Sequence, residues 1–178
     1  MTTTIVLADD HQVVRQGLRA LLEAEPGFSV VGEASDGNQV VELVERTAPD
    51  VLVLDLNMPG LGGLEVTREV TRRFPGTRVV VLSMHSSGPY VLRALTHGAA
   101  AYVLKASSAA DLLQAIREVR AGRRYLSPPL SEHAVEAHAS RAKTAGVDPR
   151  PQEPPRESPR SSREPLDDLP ERPSRGGG

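Results

Sequence analysis

Val51, Leu52, Val53 and Leu54 form an unbroken aliphatic run that ends at Asp55 and is followed by Met58-Pro59-Gly60. No polar residue interrupts it, so the pattern is that of a strand buried on both faces rather than a half-exposed one. The proline and glycine prevent the strand from continuing. A second apolar run at residues 4–8 (TIVLA) also ends in acid, at Asp9-Asp10. Phe28 to Val31, Arg78 to Leu82 and Ala101 to Leu104 read as three further strands. Helical spacing fills the intervals. Val14, Leu18, Leu21 and Leu22 mark a helix over His11 to Glu25, closed by Pro26-Gly27. Asn38 to Glu45, Leu64 to Phe74, Pro89 to Thr96 and Ser108 to Arg120 are the other four. Strands alternating with helices imply right-handed crossovers and a parallel, doubly wound α/β sheet of five strands within residues 4–121.

The pattern changes after Gly122. Residues 1–122 read as one domain and 123–146 as a linker. Within that linker, Ser127 to Lys143 has the character of a short, mostly polar helix capped by Ser131. From Val147 onward there are eight prolines, two leucines and no aromatic residue. Such a segment buries too little apolar surface to offset the entropy of ordering its backbone, so 147–178 is expected to be disordered.

Charge and composition narrow the function. A net charge of -2 over 178 residues argues against a generally basic nucleic-acid binder. The absence of cysteine removes disulfides, zinc thiolates and a thiol nucleophile. Neither a secretory signal nor a membrane-spanning run is evident, and the expectation is a cytoplasmic protein.

Polar residues collect where the strands end: Asp9 and Asp10 after the first, Asp55 after the third, Ser83 after the fourth and Lys105 after the fifth. On its own stretch Asp55 reads equally well as a turn residue, and Asp9-Asp10 alone as a helix cap. In a flavodoxin-like strand order of 2-1-3-4-5, the first and third strands flank the topological switch point, and the three carboxylates converge in one crevice. Like charges that close require either a cation or raised pKa values at neutral pH. Oxygen ligands with no histidine or cysteine among them favour a hard ion, and few carboxylates plus waters suit Mg2+ better than calcium. Lys105 can extend its ammonium to the same spot, and Ser83 adds a hydroxyl. This set suits phosphoryl transfer to a carboxylate, which forms an aspartyl-phosphate. A carboxylate is already ionised at pH 7 and needs no general base.

Together IVLADD, VLVLDLNMPG, VVVLS and AYVLK resemble the strand ends of a response-regulator receiver domain, in the same order. DDHQVVRQGL, LSMH and RRYLSP resemble the NarL/FixJ type of two-component regulator. The resemblance implies that Asp55 is the phosphoacceptor, Asp10 a direct magnesium ligand, Asp9 an assisting acid and Asn57 a carbonyl ligand. It further implies that Ser83 and Lys105 bind the phosphoryl group and that the rotamer of Tyr102, a half-buried strand aromatic, reports it. The implied partners are a sensor histidine kinase and a second copy or partner protein at the fourth helix and fifth strand.

Some positions depart from that pattern. Ala106 stands where many receivers have proline, loosening the loop, and Met84 is long enough to restrict access to Asp55. Gly62-Gly63 replaces an acid–glycine pair. A helix-turn-helix output domain is not evident in the Pro-rich tail, so this chain alone is not expected to bind specific DNA. The alternative is a DNA-binding transcriptional regulator whose output domain is truncated or frame-shifted away. A phosphohydrolase of the same fold is weaker, because Leu56-Asn57 follows Asp55 where a second acid would be needed; the chain is expected to be a phosphoacceptor rather than an enzyme. His11 and His85 read as solvated loop residues. His133 and His138 fall on different helix faces and make no metal pair.

Overall fold

A computed structural model describes residues 1–130 of the protein. Five strand–helix units follow one another: β1 (Thr3–Ala8), α1 (Gln12–Glu23), β2 (Phe28–Ala34), α2 (Gly37–Thr47), β3 (Val51–Asp55), α3 (Gly63–Arg73), β4 (Arg78–Ser83), α4 (Gly88–Thr96), β5 (Ala101–Leu104) and α5 (Ala109–Arg120). A short strand, β6 (Tyr125–Leu126), comes last. All pair in parallel, in the order β2-β1-β3-β4-β5-β6. The expected doubly wound arrangement is present, with one more strand than the apolar runs announce.

The unbroken run of β3 follows from burial on both faces, for all five of its residues are buried. Leu52 and Leu54 join the core beneath α2, α3 and α4, whereas Val51 and Val53 join the core beneath α1 and α5. Each such side chain, taken fully out of water, contributes about 1.5–3 kcal/mol. Among the described residues no helix is long and apolar enough to cross a membrane.

The β3–α3 turn brings two backbones together. A Cβ on Gly63 would stand 2.5 Å from Leu56 Cα, so only glycine lets α3 begin this close to the end of β3. At the other end of the unit α5 opens on a capping box between Ser108 and Asp111.

Two expectations change. β2 runs on to Ala34 because it is bulged: Ile5 pairs with Val30 and Val6 with Gly32, leaving Val31 outside the register. The apolar run ends at Val31, the bulged residue, and pairing resumes through Gly32, Glu33 and Ala34. The second change is β6, which lies in the segment read as linker. Tyr125 and Leu126 pair with Ala101 and Tyr102. Ser127 is fully buried; its N–H donates to Tyr102 O at 3.0 Å, and its Oγ accepts from Leu104 N at 2.9 Å. Pro128 to Leu130 then begin a helical turn ahead of the expected Ser131 cap, with Leu130 buried in the core that holds Tyr102. The remainder of the expected helix and the coil expected over 147–178 lie outside the described residues.

Candidate acidic site at the strand ends

Asp9 follows the last residue of β1 and Asp55 is the last of β3. Those strands are neighbours, with Ala8 opposite Leu54. Both carboxylates are only 2% exposed. Lys105, just past β5, reaches back across β4 and places Nζ 3.0 Å from Asp9 Oδ2 and 2.9 Å from Asp55 Oδ2. Burial would lower the Lys105 pKa, but its hydrogen bonds to Asp55 and Asp9, with their charges, outweigh that and raise it above 10.5. The ammonium is therefore charged at neutral pH and neutralises part of a buried acidic pair.

The acids are further fixed by their loops. Asn57 N donates to Asp55 Oδ1 at 3.0 Å, which folds the chain after β3 around the carboxylate. His11 N donates to Asp9 Oδ1 at 2.8 Å. Arg15 of α1 donates from Nη1 to Asp9 O at 2.6 Å and pairs through Nε with Glu33 of β2 at 3.3 Å. Asp10 is more open, its side chain 32% exposed. Ligand atoms of Asp9, Asp10, His11 and Asp55 all lie within 4.8 Å of one another. Three of these four donors are carboxylates, a hard set that fits a small divalent cation.

Ser83 and Tyr102 form a second group. Ser83 continues the pleat of Val79 and Val81 in the core under α4, while Asp55 continues that of Val51 and Val53. The Ser83 hydroxyl accepts from His85 N at 3.0 Å. Tyr102 is fully buried rather than half-buried as its strand position implied, and its hydroxyl donates to His85 O at 2.7 Å. Its inward rotamer is thus already filled. Burial raises the Tyr102 pKa, against the nearby Ser83 hydroxyl, which lowers it.

His85 joins the two groups. Its ring stacks on Tyr90 of α4, with centroids 4.5 Å apart, and Nε2 lies 3.3 Å from Asn57 Nδ2. Sequence reasoning left His85, His11 and Arg15 aside, because contacts made from loops and helix faces leave no periodic trace. Met84 is 67% exposed and lines a cleft of about 480 Å³ with Val14, Leu18, Leu112 and Lys105, a lining that does not include Asp55. Nor is the loop after Lys105 loose: Lys105 N donates to Ser83 O at 2.8 Å, Ser107 N to Leu104 O at 2.9 Å, and Ser107 Oγ lies 3.2 Å from Ser127 Oγ.

Residues 5–117 match the response regulator receiver domain family. Transcriptional regulatory protein DegU of Brevibacillus brevis is 40% identical over 134 residues, covering 75% of this chain and 57% of that protein. Response regulator UvrY of Escherichia coli (strain K12) is 36% identical over 140 residues, covering 79% and 64%. The chain thus spans less than two thirds of these curated relatives. A two-component response regulator of the LuxR family from Aurantimonas sp. SI85-9A1 superposes with a TM-score of 0.74 at 40% identity, over 78% of this chain and 99% of that one.

Proposed function

The chain belongs to the response regulator receiver domain family, and from that premise we propose that Asp55 accepts a phosphoryl group from the phosphohistidine of a sensor histidine kinase. The observation that carries this reading is the Lys105 ammonium held between two buried carboxylates at neighbouring strand ends. A buried acid with a fixed cation beside it is a nucleophile with its charge stabilisation already in place.

In the proposed step one Asp55 oxygen forms a bond to phosphorus as the phosphorus–nitrogen bond of the donor breaks. The electron pair of that bond stays on the leaving imidazole. Asn57 N keeps the acceptor oriented through Asp55 Oδ1. Lys105 is in reach of both the carboxylate and the equatorial oxygens that arrive on it, so one ammonium serves before and after transfer. Carboxylates of Asp9, Asp10 and Asp55 and the Asn57 carbonyl would hold magnesium, which supplies further charge neutralisation at the phosphoryl oxygens. Ser83 would turn its hydroxyl from His85 N toward the phosphoryl group. That movement alters the His85 contacts on which Tyr102 and Tyr90 rest, and so carries the change to α4, β5 and the β6 segment laid on β5. A partner or a second copy of the chain reads that surface. The chain acts as a phosphoacceptor that catalyses its own phosphorylation, not as an enzyme turning over a separate substrate.

Intact-mass measurement after incubation with acetyl phosphate and magnesium tests the reading. One phosphoryl group should add to the parent, none to Asp55→Ala, and less to Asp10→Asn. Labelling of Asp55→Ala equal to the parent would overturn the assignment. The name of DegU supports a second reading, a transcriptional regulator in which this receiver controls DNA recognition made beyond residues 1–130.

A further inference from the structure

The acidic pocket contains one nitrogen donor that the proposed transfer does not use. His11 occupies the N-cap position of α1 but makes no side-chain cap hydrogen bond, so its ring is not engaged by the helix. Its backbone is anchored instead, through N–H to Asp9 Oδ1 at 2.8 Å. The ring turns back over the acids, with Nδ1 3.1 Å from Asp9 Oδ1 and 3.1 Å from Asp10 Oδ1. Lys105 pins Asp9 and Asp55, whereas the side chains of His11 and Asp10 are 62% and 32% exposed and can reorient. The four donor atoms lie within 4.8 Å of one another. Opposed ligands on an ion at bond lengths of roughly 2.0–2.2 Å are about 4 Å apart, so a small inward movement of the two exposed side chains is enough to share one ion.

We propose that His11 Nδ1 is a ligand of the cation in this pocket, and that the pocket consequently prefers a first-row transition divalent ion, such as manganese, over magnesium. The proposal rests on the reading that the pocket holds a divalent cation. Carboxylate and carbonyl oxygens serve magnesium and manganese alike, whereas an imidazole nitrogen favours the transition ion. The ring would carry its proton on Nε2 and present the Nδ1 lone pair to the ion, in the position where it now contacts the two carboxylates. In the metal-free chain Nδ1 donates to the carboxylates it contacts, and the ion would take the place of that proton.

The test uses the full chain with manganese and magnesium as probes. Electron spin-echo envelope modulation of the manganese-loaded protein should show nitrogen-14 coupling of a directly bound imidazole, and His11→Gln should lose it. Titration calorimetry should show the manganese-over-magnesium preference falling about tenfold in His11→Gln, the smaller end of what loss of a metal-orienting partner costs. Substitution of an exposed residue without a cap bond leaves the fold in place, and circular dichroism verifies this. Asp10→Asn separates the two layers of the argument. If Asp10→Asn weakens manganese binding but the parent shows no nitrogen coupling, His11 is not a ligand while the pocket reading stands. If Asp10→Asn leaves binding untouched, both fail. Coupling that persists in His11→Gln assigns the nitrogen to another histidine and overturns the proposal.

Discussion

Lys105→Met removes the ammonium from between Asp9 and Asp55 while keeping most of the side-chain volume. Both acids are 2% exposed, and among the described residues no other ion pair reaches Asp55. Breaking a buried pair by deleting one partner costs about 3–5 kcal/mol, and the 13% exposure of Lys105 places this case near 3 kcal/mol. With a urea slope of about 1.5 kcal/mol per molar, the unfolding midpoint should fall by roughly 2 M at pH 7. Saturating magnesium should recover a good part of that loss, because a bound cation returns positive charge to the same carboxylates and stabilises the form that binds it. The pH dependence has a definite sign. Lys105 has a folded pKa raised above 10.5, so its contribution is complete below the unfolded value and is lost as pH rises through the folded one. The gap between parent and variant should therefore hold steady from neutral pH to about 10 and close only in stronger alkali. An unchanged or higher midpoint in Lys105→Met without magnesium would show that the lysine is not what makes the buried acids tolerable.

Ser127→Ala leaves the part-buried Leu104 N–H without its 2.9 Å acceptor and should cost about 1 kcal/mol, with faster hydrogen exchange at Leu104 and across β6; unchanged protection there would count against β6 as a built part of the sheet. Tyr102→Phe keeps the packing and removes only the bond to His85 O, at about 1 kcal/mol. It should leave Asp55 labelling nearly intact while uncoupling it from association, and an unchanged beryllofluoride-dependent shift in sedimentation would rule out the Tyr102 hydroxyl as the relay. A gel-shift titration of this chain at physiological salt should show no nanomolar, sequence-dependent binding to DNA, and such binding would establish recognition within these 178 residues.

What was legible in the chain follows from what kind of contact each residue makes. A central parallel strand must be apolar on both faces, so Val51 to Leu54 could be read without neighbours. β6 could not, since two residues show no period and its stability comes from outside: the free edge of β5, and the fully buried Ser127 satisfying Leu104 N. The extension of β2 was hidden for a related reason, its bulge at Val31 breaking the alternation by which a strand announces itself.

The acidic half of the site was readable because strand ends are fixed by sequence, and parallel strands bring their carboxyl ends to one edge whatever the loops do. Asp9, Asp55 and Lys105 needed only that. The other half depends on where one loop turns. His85 accepts from Tyr102 through its carbonyl, donates to Ser83 through its N–H, and sets its ring between Asn57 and Tyr90, four contacts from one residue outside any strand or helix. A loop residue with that many partners is held by all of them, and any of them can move it. If Ser83 leaves His85 N for a phosphoryl oxygen, the remaining three contacts must readjust together, because the ring and both backbone groups belong to one residue. His85 thus stands between Ser83 and Asn57 on one side and Tyr90 of α4 on the other, with Tyr102 already buried and bonded to its carbonyl, so the proposed relay calls for no swing of Tyr102 from solvent.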